Sequence, residues 1–352
     1  MLRIDGSFGE GGGQIVRTAL ALSALTRMPF EITNVRANRP SPGLRNQHVQ
    51  CVTAAKAICS AEVEGAEKAS RRLLFSPGGI VAGRHDIDIG TAGSTTLVLH
   101  TVFLPLSFAG GESHLAIRGG THNGFCPIYD YLDLLWAPFM RRLGFDVAIS
   151  LNSAGYYPKG GGEIEARISQ STRRDAIVIT ERGSLKQLLV RAAVTRLPRT
   201  IAERFVRRVE VELRSRRIRR YETEILEPPG TAEGAYVLIL AEYENSACCY
   251  FGLGRAGRKA EKIAEEMLGD FIAFHKSSAT VDEHLADQLL LPLAVCGGRS
   301  EFITPRITSH LTTNAEIVRM FLGTEIHIEP RPDGTGAVIV AAKPLPEGLR
   351  RP

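Results

Sequence analysis

A small number of glycine-bearing segments hold the side chains able to do phosphate chemistry. Gly9-Glu10-Gly11-Gly12-Gly13-Gln14 opens a predicted helix. Consecutive glycines expose backbone N–H groups, and a helix N-terminus adds partial positive charge, so together they can seat a phosphate. The pattern is neither the P-loop nor the dinucleotide fingerprint, and a tight turn that only glycine can take is the alternative. Glu10 within this turn could hold Mg²⁺ or Mn²⁺ against phosphate oxygens. Arg17, one helical turn beyond Gln14, could face the same anion. The loop from Arg36 to His48 carries Arg36, Arg39 and Arg45, is stiffened by Pro40 and Pro42, and ends in Gln47-His48. Guanidinium groups there suit bidentate phosphate recognition, and a merely solvated loop is the other reading. His310 precedes Thr312-Thr313-Asn314, expected caps of the next helix. An imidazole at a helix N-terminus stays neutral, as a nucleophile must. With nine histidines in the chain, spacing does not single out a nucleophile, and a structural role for His310 stays open.

Two further segments have an ordinary explanation beside the functional one. Gly90-Thr91-Ala92-Gly93-Ser94 precedes an apolar helix and is a second anion candidate, yet Ser94 or Thr95 can simply cap that helix. Arginines between Arg204 and Arg220 resemble a nucleic-acid patch, but Glu203, Glu210 and Glu212 interleave with them as on a solvated helix face.

These residues need a scaffold. The chain has 352 residues, 44% apolar and 23% charged, with 35 Gly and a formal net charge of +5. That length predicts two domains, or one large domain with an insertion, and the balance excludes intrinsic disorder. No apolar run reaches the ~20 residues needed to span a bilayer, and the N-terminus does not begin a signal peptide, so a soluble, cytoplasmic protein without membrane partners is expected. Six cysteines without a CxxC pair read as buried free thiols. The mild positive charge permits a polyanionic partner without demonstrating one.

An order of elements recurs. Helix 14–25, strand 30–35, polar loop 36–48 and helix 49–58 are followed by helix 94–108, strand 114–117, Gly-rich loop 118–127, helix 128–143 and strand 145–149. The third copy reads as helix 284–295, strand 301–304, loop 306–314, helix 315–322 and strand 325–328. Gly9–Ile15 and Pro158–Ile164 form a local echo of one another. The rhythm breaks over 183–279, where strand 187–195, an Arg-rich helix 202–214, strand 235–243 and helix 259–274 suffice for a small inserted α/β domain. The expected fold is α/β (α+β): three helix-strand-helix-strand units around a pseudo-three-fold axis, with residues 1–182 and 280–352 forming the large domain. Loops carrying His48, His122-Asn123 and His310 should converge there. Cys248-Cys249 beside a strand hints at a buried edge, while the oligomeric state is left open.

Gly9–Arg17, Arg39–His48, Thr91–Ser94, His284-Leu285-Ala286-Asp287-Gln288-Leu289 and Ser309–Asn314 together resemble the RNA 3′-terminal phosphate cyclase family, over about Ile4 to Val340. The resemblance implies a thioredoxin-like inserted domain and an ATP-dependent conversion of an RNA 3′-phosphate to a 2′,3′-cyclic phosphate. It implies His310 as the nucleophile that takes AMP, and Glu10 as the metal-associated carboxylate. Arg17, Arg39, Arg45, Gln47 and His48 fall in its phosphate- and RNA-end-recognising segments. His284, Leu285, Ala286, Asp287 and Gln288 match its nucleotide-contacting stretch, with Pro127 against the adenine. Two positions depart from the pattern. Position 284 is His where some relatives carry Tyr, and either ring can stack on adenine. Position 100 is His where Gln is expected, which bears on one nucleotide contact but not on the chemistry. The alternative is a non-catalytic cyclase-like protein acting in ribosomal RNA processing, against which His310, Glu10 and Arg17 argue. An enolpyruvyl transferase on a related fold is a third reading.

Overall fold

The computed structural model describes residues 1–343. A first unit begins with β1 (Leu2–Asp5), α1 (Gly13–Thr26) and β2 (Phe30–Thr33), and continues through α2 (Asn46–Cys59) to β3 (Glu62–Glu64) and β4 (Leu73–Ser76). β1 lies parallel to β2, β2 antiparallel to β4, and β4 antiparallel to β3, giving the order β1-β2-β4-β3. A second unit has β5 (Arg84–Asp88), α3 (Thr95–Leu106), β6 (Ser113–Gly119), α4 (Tyr129–Tyr131), a π-helical turn Leu132–Trp136, α5 (Ala137–Arg142), β7 (Val147–Ser153) and β8 (Gly162–Ile168). Its sheet repeats the connectivity, β5-β6-β8-β7, with the same parallel and antiparallel pairings.

After the short strand β9 (Val178–Ile179) the chain builds a different sheet. Its elements are β10 (Leu185–Thr195), α6 (Thr200–Ser215), β11 (Glu222–Leu226), β12 (Gly234–Tyr243), β13 (Ala247–Leu253) and α7 (Ala260–Lys276), in the strand order β11-β10-β12-β13. Phe205, Val209, Leu213, Met267 and Phe271 close a core of their own against one face of this sheet. The chain then returns through α8 (Glu283–Cys296), β14 (Gly298–Thr304), α9 (Ser309–Leu322), β15 (Glu325–Pro330) and β16 (Gly336–Ala342). β14 pairs parallel with β9 and antiparallel with β16, and β16 with β15, so this sheet has the connectivity of the first two.

The units are therefore longer than the four elements expected. Each adds a leading strand; the first also closes with the hairpin β3-β4, while in the second and third the expected last strand, β7 or β15, gains a partner, β8 or β16. The expected helix 128–143 is interrupted by the π turn. The glycine echo is not architectural either. Gly12 precedes a helix, whereas Gly162 begins the strand β8.

α1 runs buried from Ile15 to Leu25, with Ala19, Ala21 and Ala24 letting α2, α3 and α9 pack close on it. Burial of so continuous an apolar helix fixes its N-terminus, and with it the glycine turn. Cys248 and Cys249 are wholly buried on the edge strand β13. The strand is buried there as expected, and the Cys249 N–H donates to Asp282 Oδ2 at 3.1 Å. The arginines of α6 behave as a solvated face. Arg204 forks onto Glu261, while Arg208 bridges Glu265 and Glu212. No helix among the described residues is long and apolar enough to cross a membrane.

Candidate active site

His310 lies inside the first turn of α9, not in a loop before it. The helix starts earlier than expected because Thr308 serves as its cap, its Oγ1 accepting from the Leu311 N–H at 3.1 Å. Thr313, read from sequence as a cap, has another task. Its Oγ1 accepts from the Glu10 N–H at 3.0 Å and so pins the glycine turn to α9 across the chain. Thr18 of α1 donates to Asn314 at 2.7 Å and holds the same two helices together.

The turn needs its glycines. Gly9 and Gly11 both have φ of 56°, a left-handed conformation that costs other residues 1–2 kcal/mol. A Cβ on Gly9 would also meet Thr313 Oγ1 at 2.3 Å. In this geometry Glu10 Oε2 lies 2.9 Å from His310 Nδ1, and Oε1 is paired with the Arg39 guanidinium. Glu10 Oε2 is buried and no hydrogen bond satisfies it. Gly12 carries no side-chain cap for α1, leaving that helix's first amides without a side-chain acceptor at the turn.

From His310 a cleft of about 470 Å³ opens between α1, α3, α8 and the loop before α4. Arg17, His100 and Pro127 line it, as do His284, Asp287 and Gln288. Arg17 is held against the floor by its Nη2 hydrogen bond to Gln14 Oε1 at 2.6 Å. His310 is half exposed, and partial burial holds its pKa below the usual histidine value. Asp287 pulls it up, while the Arg17 and Arg39 charges push it down further. Burial raises Asp287 to about 6, against the opposing influence of His310, His284 and Arg17. His100 is pushed down to about 3 by burial and by Arg17, so it is a neutral ring, with Nε2 unpartnered. His48 is likewise held at about 3 by burial, then by Arg17, Arg36 and Arg45. Its Nδ1 accepts from the Arg45 N–H at 3.0 Å, which makes it part of α2's first turn.

Several expected residues stand elsewhere. The side chains of Leu285 and Ala286 are fully buried in the core, so they do not line the cleft. Arg45 is exposed at the start of α2, and Gln47 behind it has an unpartnered, buried Nε2. His122 does not converge with His48 and His310. Its Nε2 is 2.9 Å from Asp130 Oδ2 in a buried joint, and the ring stacks between Tyr156 and Tyr236. Burial pushes Asp130 upward, but hydrogen bonds and charge from His122, with Arg191 across the joint, bring it to about 2. Ser94 is a cap, accepting from the Leu97 N–H at 3.3 Å.

Sequence reasoning missed Phe125, Trp136 and Tyr131, and also Tyr250, Phe251 and Asp270, which reach the cleft from the segment carrying β13 and α7. No spacing links Tyr250 to His310. The only signal was an aromatic pair following Cys248-Cys249 in one strand.

The family model for RNA 3′-terminal phosphate cyclase matches residues 8–328. The RNA 3′-terminal phosphate cyclase of Trichormus variabilis is 41% identical over 328 residues, covering 91% of this chain and 94% of that protein. The RNA 3′-terminal phosphate cyclase of Methylococcus capsulatus is 40% identical over 355 residues (98% and 97%), and that of Archaeoglobus fulgidus 38% over 332 (94% and 98%). A solved enolpyruvyl transferase, NikO from Streptomyces tendae, aligns with a TM-score of 0.40 at 11% identity over 97% of this chain and 48% of that one. Glu10, Arg17 and His310 thus sit together within a match that runs almost end to end, and this chain belongs to the RNA 3′-terminal phosphate cyclase family.

Proposed function

We propose that this protein converts an RNA 3′-terminal phosphate to a 2′,3′-cyclic phosphodiester with ATP as co-substrate, through AMP carried on His310. The observation that carries the reading is the 2.9 Å approach of Glu10 Oε2 to His310 Nδ1, at the mouth of a cleft shared with Arg17. A carboxylate beside Nδ1 favours the tautomer with its proton there, leaving the Nε2 lone pair free to attack. The depressed pKa keeps the ring neutral near pH 7. Nε2 would form a bond to the α-phosphorus as the bond to pyrophosphate breaks. An oxygen of the RNA 3′-phosphate would then take AMP as the N–P bond breaks, and attack of the neighbouring 2′-OH on the 3′-phosphate would expel AMP.

Arg17, Arg39 and the first amides of α1 would orient and neutralise the phosphates, with Arg45, Gln47 and His48 on the RNA-end side. The cleft between Pro127, His100 and His284 would take the adenosine. Glu10's buried Oε2, beside His310 Nδ1 but without a well-aligned hydrogen bond, fits a divalent cation, which would screen phosphate charge that otherwise repels attack. No cluster of three or more His, Cys, Asp or Glu converges among the described residues, so phosphate and water would complete such a cation's shell. The recurring sheet connectivity supports three units about a common axis, and the separate core of 183–279 supports an inserted, thioredoxin-like domain.

The test is uptake of label from ATP labelled at the α-phosphate, with Mg²⁺ or Mn²⁺ and without RNA. Wild type should retain acid-labile label after denaturation, His310→Ala should not, and RNA 3′-phosphate should discharge it. Absence of label in wild type under both metals would sink the reading and favour a non-catalytic role in RNA processing.

A further inference from the structure

Two aromatic rings, one of them lining the cleft, are exposed in a way that packing does not explain. Phe125, which lines the cleft beside His310, is fully exposed at 105%, and its φ of 65° is one that bulky residues avoid. Tyr157 is 81% exposed. Their loops rest on one foundation. Asn123 donates to the Ala92 carbonyl at 2.6 Å, and Gly160 packs so tightly that a Cβ there would lie 3.0 Å from Ala92 Cα. The His122 N–H donates to the Gly155 carbonyl at 3.0 Å, and the His122 ring stacks on Tyr156 at 5.2 Å. Thus the loop bases are rigid while the two rings stand in water.

The foundation also borders the phosphate side. A Cβ on Gly93 would lie 3.6 Å from Gln47 Cβ, which places the Ala92 loop against the start of α2, where Arg45 is exposed. Lys159 is exposed on the Tyr157 loop. Exposed cations and exposed rings on neighbouring loops are what a single-stranded nucleic acid requires, the cations for its phosphates and the rings for its unstacked bases.

We propose that Phe125 and Tyr157 are stacking platforms for the last bases of a single-stranded RNA 3′ end, Phe125 for the terminal base and Tyr157 for one upstream. This rests on the cyclase reading and names how that site holds its polymer. The terminal base belongs to Phe125 because that ring lines the cleft that His310 also lines, whereas Tyr157 is not among the lining residues. Stacking uses the π face that every base has, so the platform grips RNA ends without selecting sequence.

The experiment uses the full chain, a single-stranded oligoribonucleotide with a 3′-phosphate, and the variants Phe125→Ala, Phe125→Trp and Tyr157→Ala. Tyr157→Ala should take label from α-labelled ATP as wild type does, and both alanine variants should raise KM for the RNA about tenfold. Phe125→Trp should restore KM. With an abasic terminal nucleotide, wild type and Phe125→Ala should become equal, whereas Tyr157→Ala should still differ. Unchanged KM for both alanine variants overturns the proposal. So does a parallel loss of labelling from ATP alone, which would make Phe125 a cover for the nucleotide. Failure of wild type to label overturns the cyclase reading itself, and shows before any variant is compared.

Discussion

Glu10 Oε2 and His310 Nδ1 stand 2.9 Å apart, although 300 residues of chain separate them. The contact exists because Thr313, one turn along from His310, receives the Glu10 N–H. Glu10→Gln removes the charge while keeping the shape and the backbone tether. Label uptake from ATP should fall roughly 10- to 100-fold, as for the loss of a group that orients a reacting ligand, with the unfolding midpoint unchanged. Uptake equal to wild type at limiting Mg²⁺ would remove Glu10 from the chemistry.

Gly13 is set against a neighbour that cannot move. A Cβ there would lie 2.2 Å from His48 Nε2, and that ring is anchored by the Arg45 N–H. Gly13→Ala should cost about 1–3 kcal/mol, the usual cost of overpacking, and should weaken RNA 3′-phosphate use by displacing His48. Chemical denaturation and KM for RNA read the two effects. A variant as stable as wild type would show that His48 relaxes freely.

Asp282 holds three parts of the molecule at once. Its Oδ1 caps α8 through the His284 and Leu285 N–H groups and accepts from the Tyr131 hydroxyl, while Oδ2 takes the Cys249 N–H. Asp282→Ala should lose about 2–4 kcal/mol, combining a lost cap with buried donors left unpaired. It should also raise KM for ATP, because His284 and Tyr250 lie on the two elements it joins. A loss below about 1 kcal/mol by urea titration would contradict this account.

His100 gives stability a pH dependence of known sign. Its folded pKa of about 3 lies below the ordinary 6.5, so the unfolded chain takes up the proton first as pH falls. The contribution is whole above 6.5 and drains away between 6.5 and about 3, by about 1.4 kcal/mol per pH unit. Asp287, raised to about 6, acts in the opposite sense, so the difference between two proteins is the clean quantity. Stability of His100→Gln should fall less steeply than that of wild type between pH 6 and pH 4.5, by about that slope. Parallel slopes would mean that the ring is protonated in the fold.

The arginines beyond α6 offer a control. Arg217, Arg219 and Arg220 are exposed on the far side of the sheet from β13. Charge reversal at Arg217, Arg219 and Arg220 should leave KM for RNA within about twofold, as expected of surface charges away from the bound strand. A larger loss would bring the segment 183–279 into RNA contact.

Much of the site was legible as residue types. Glycines around a carboxylate, arginines on a proline-braced loop and a histidine near a helix start are residue types suited to phosphate, although a tight turn, a solvated loop and a structural histidine read the same way by themselves. The long helices were legible too, since a run such as Ile15–Leu25 or Leu285–Val295 can be buried only as a helix. The leading strands, the short hairpin β3-β4 and the last strands β8 and β16 were not, because their pairing comes from partners distant in sequence.

The sequence by itself determined which side chains are available and how far along the chain each stands, together with the local turns, since the glycine conformations follow from steric rules within a few residues. Only tertiary structure decided which of them meet. It brought Glu10 to His310, sent His122 into a buried joint with Asp130 instead of the cleft, and turned Phe125 outward. The reason is that α1, α8 and α9 are positioned by burying apolar faces against one another, and burial is non-directional in sequence. No local spacing records which polar residues those faces carry into contact.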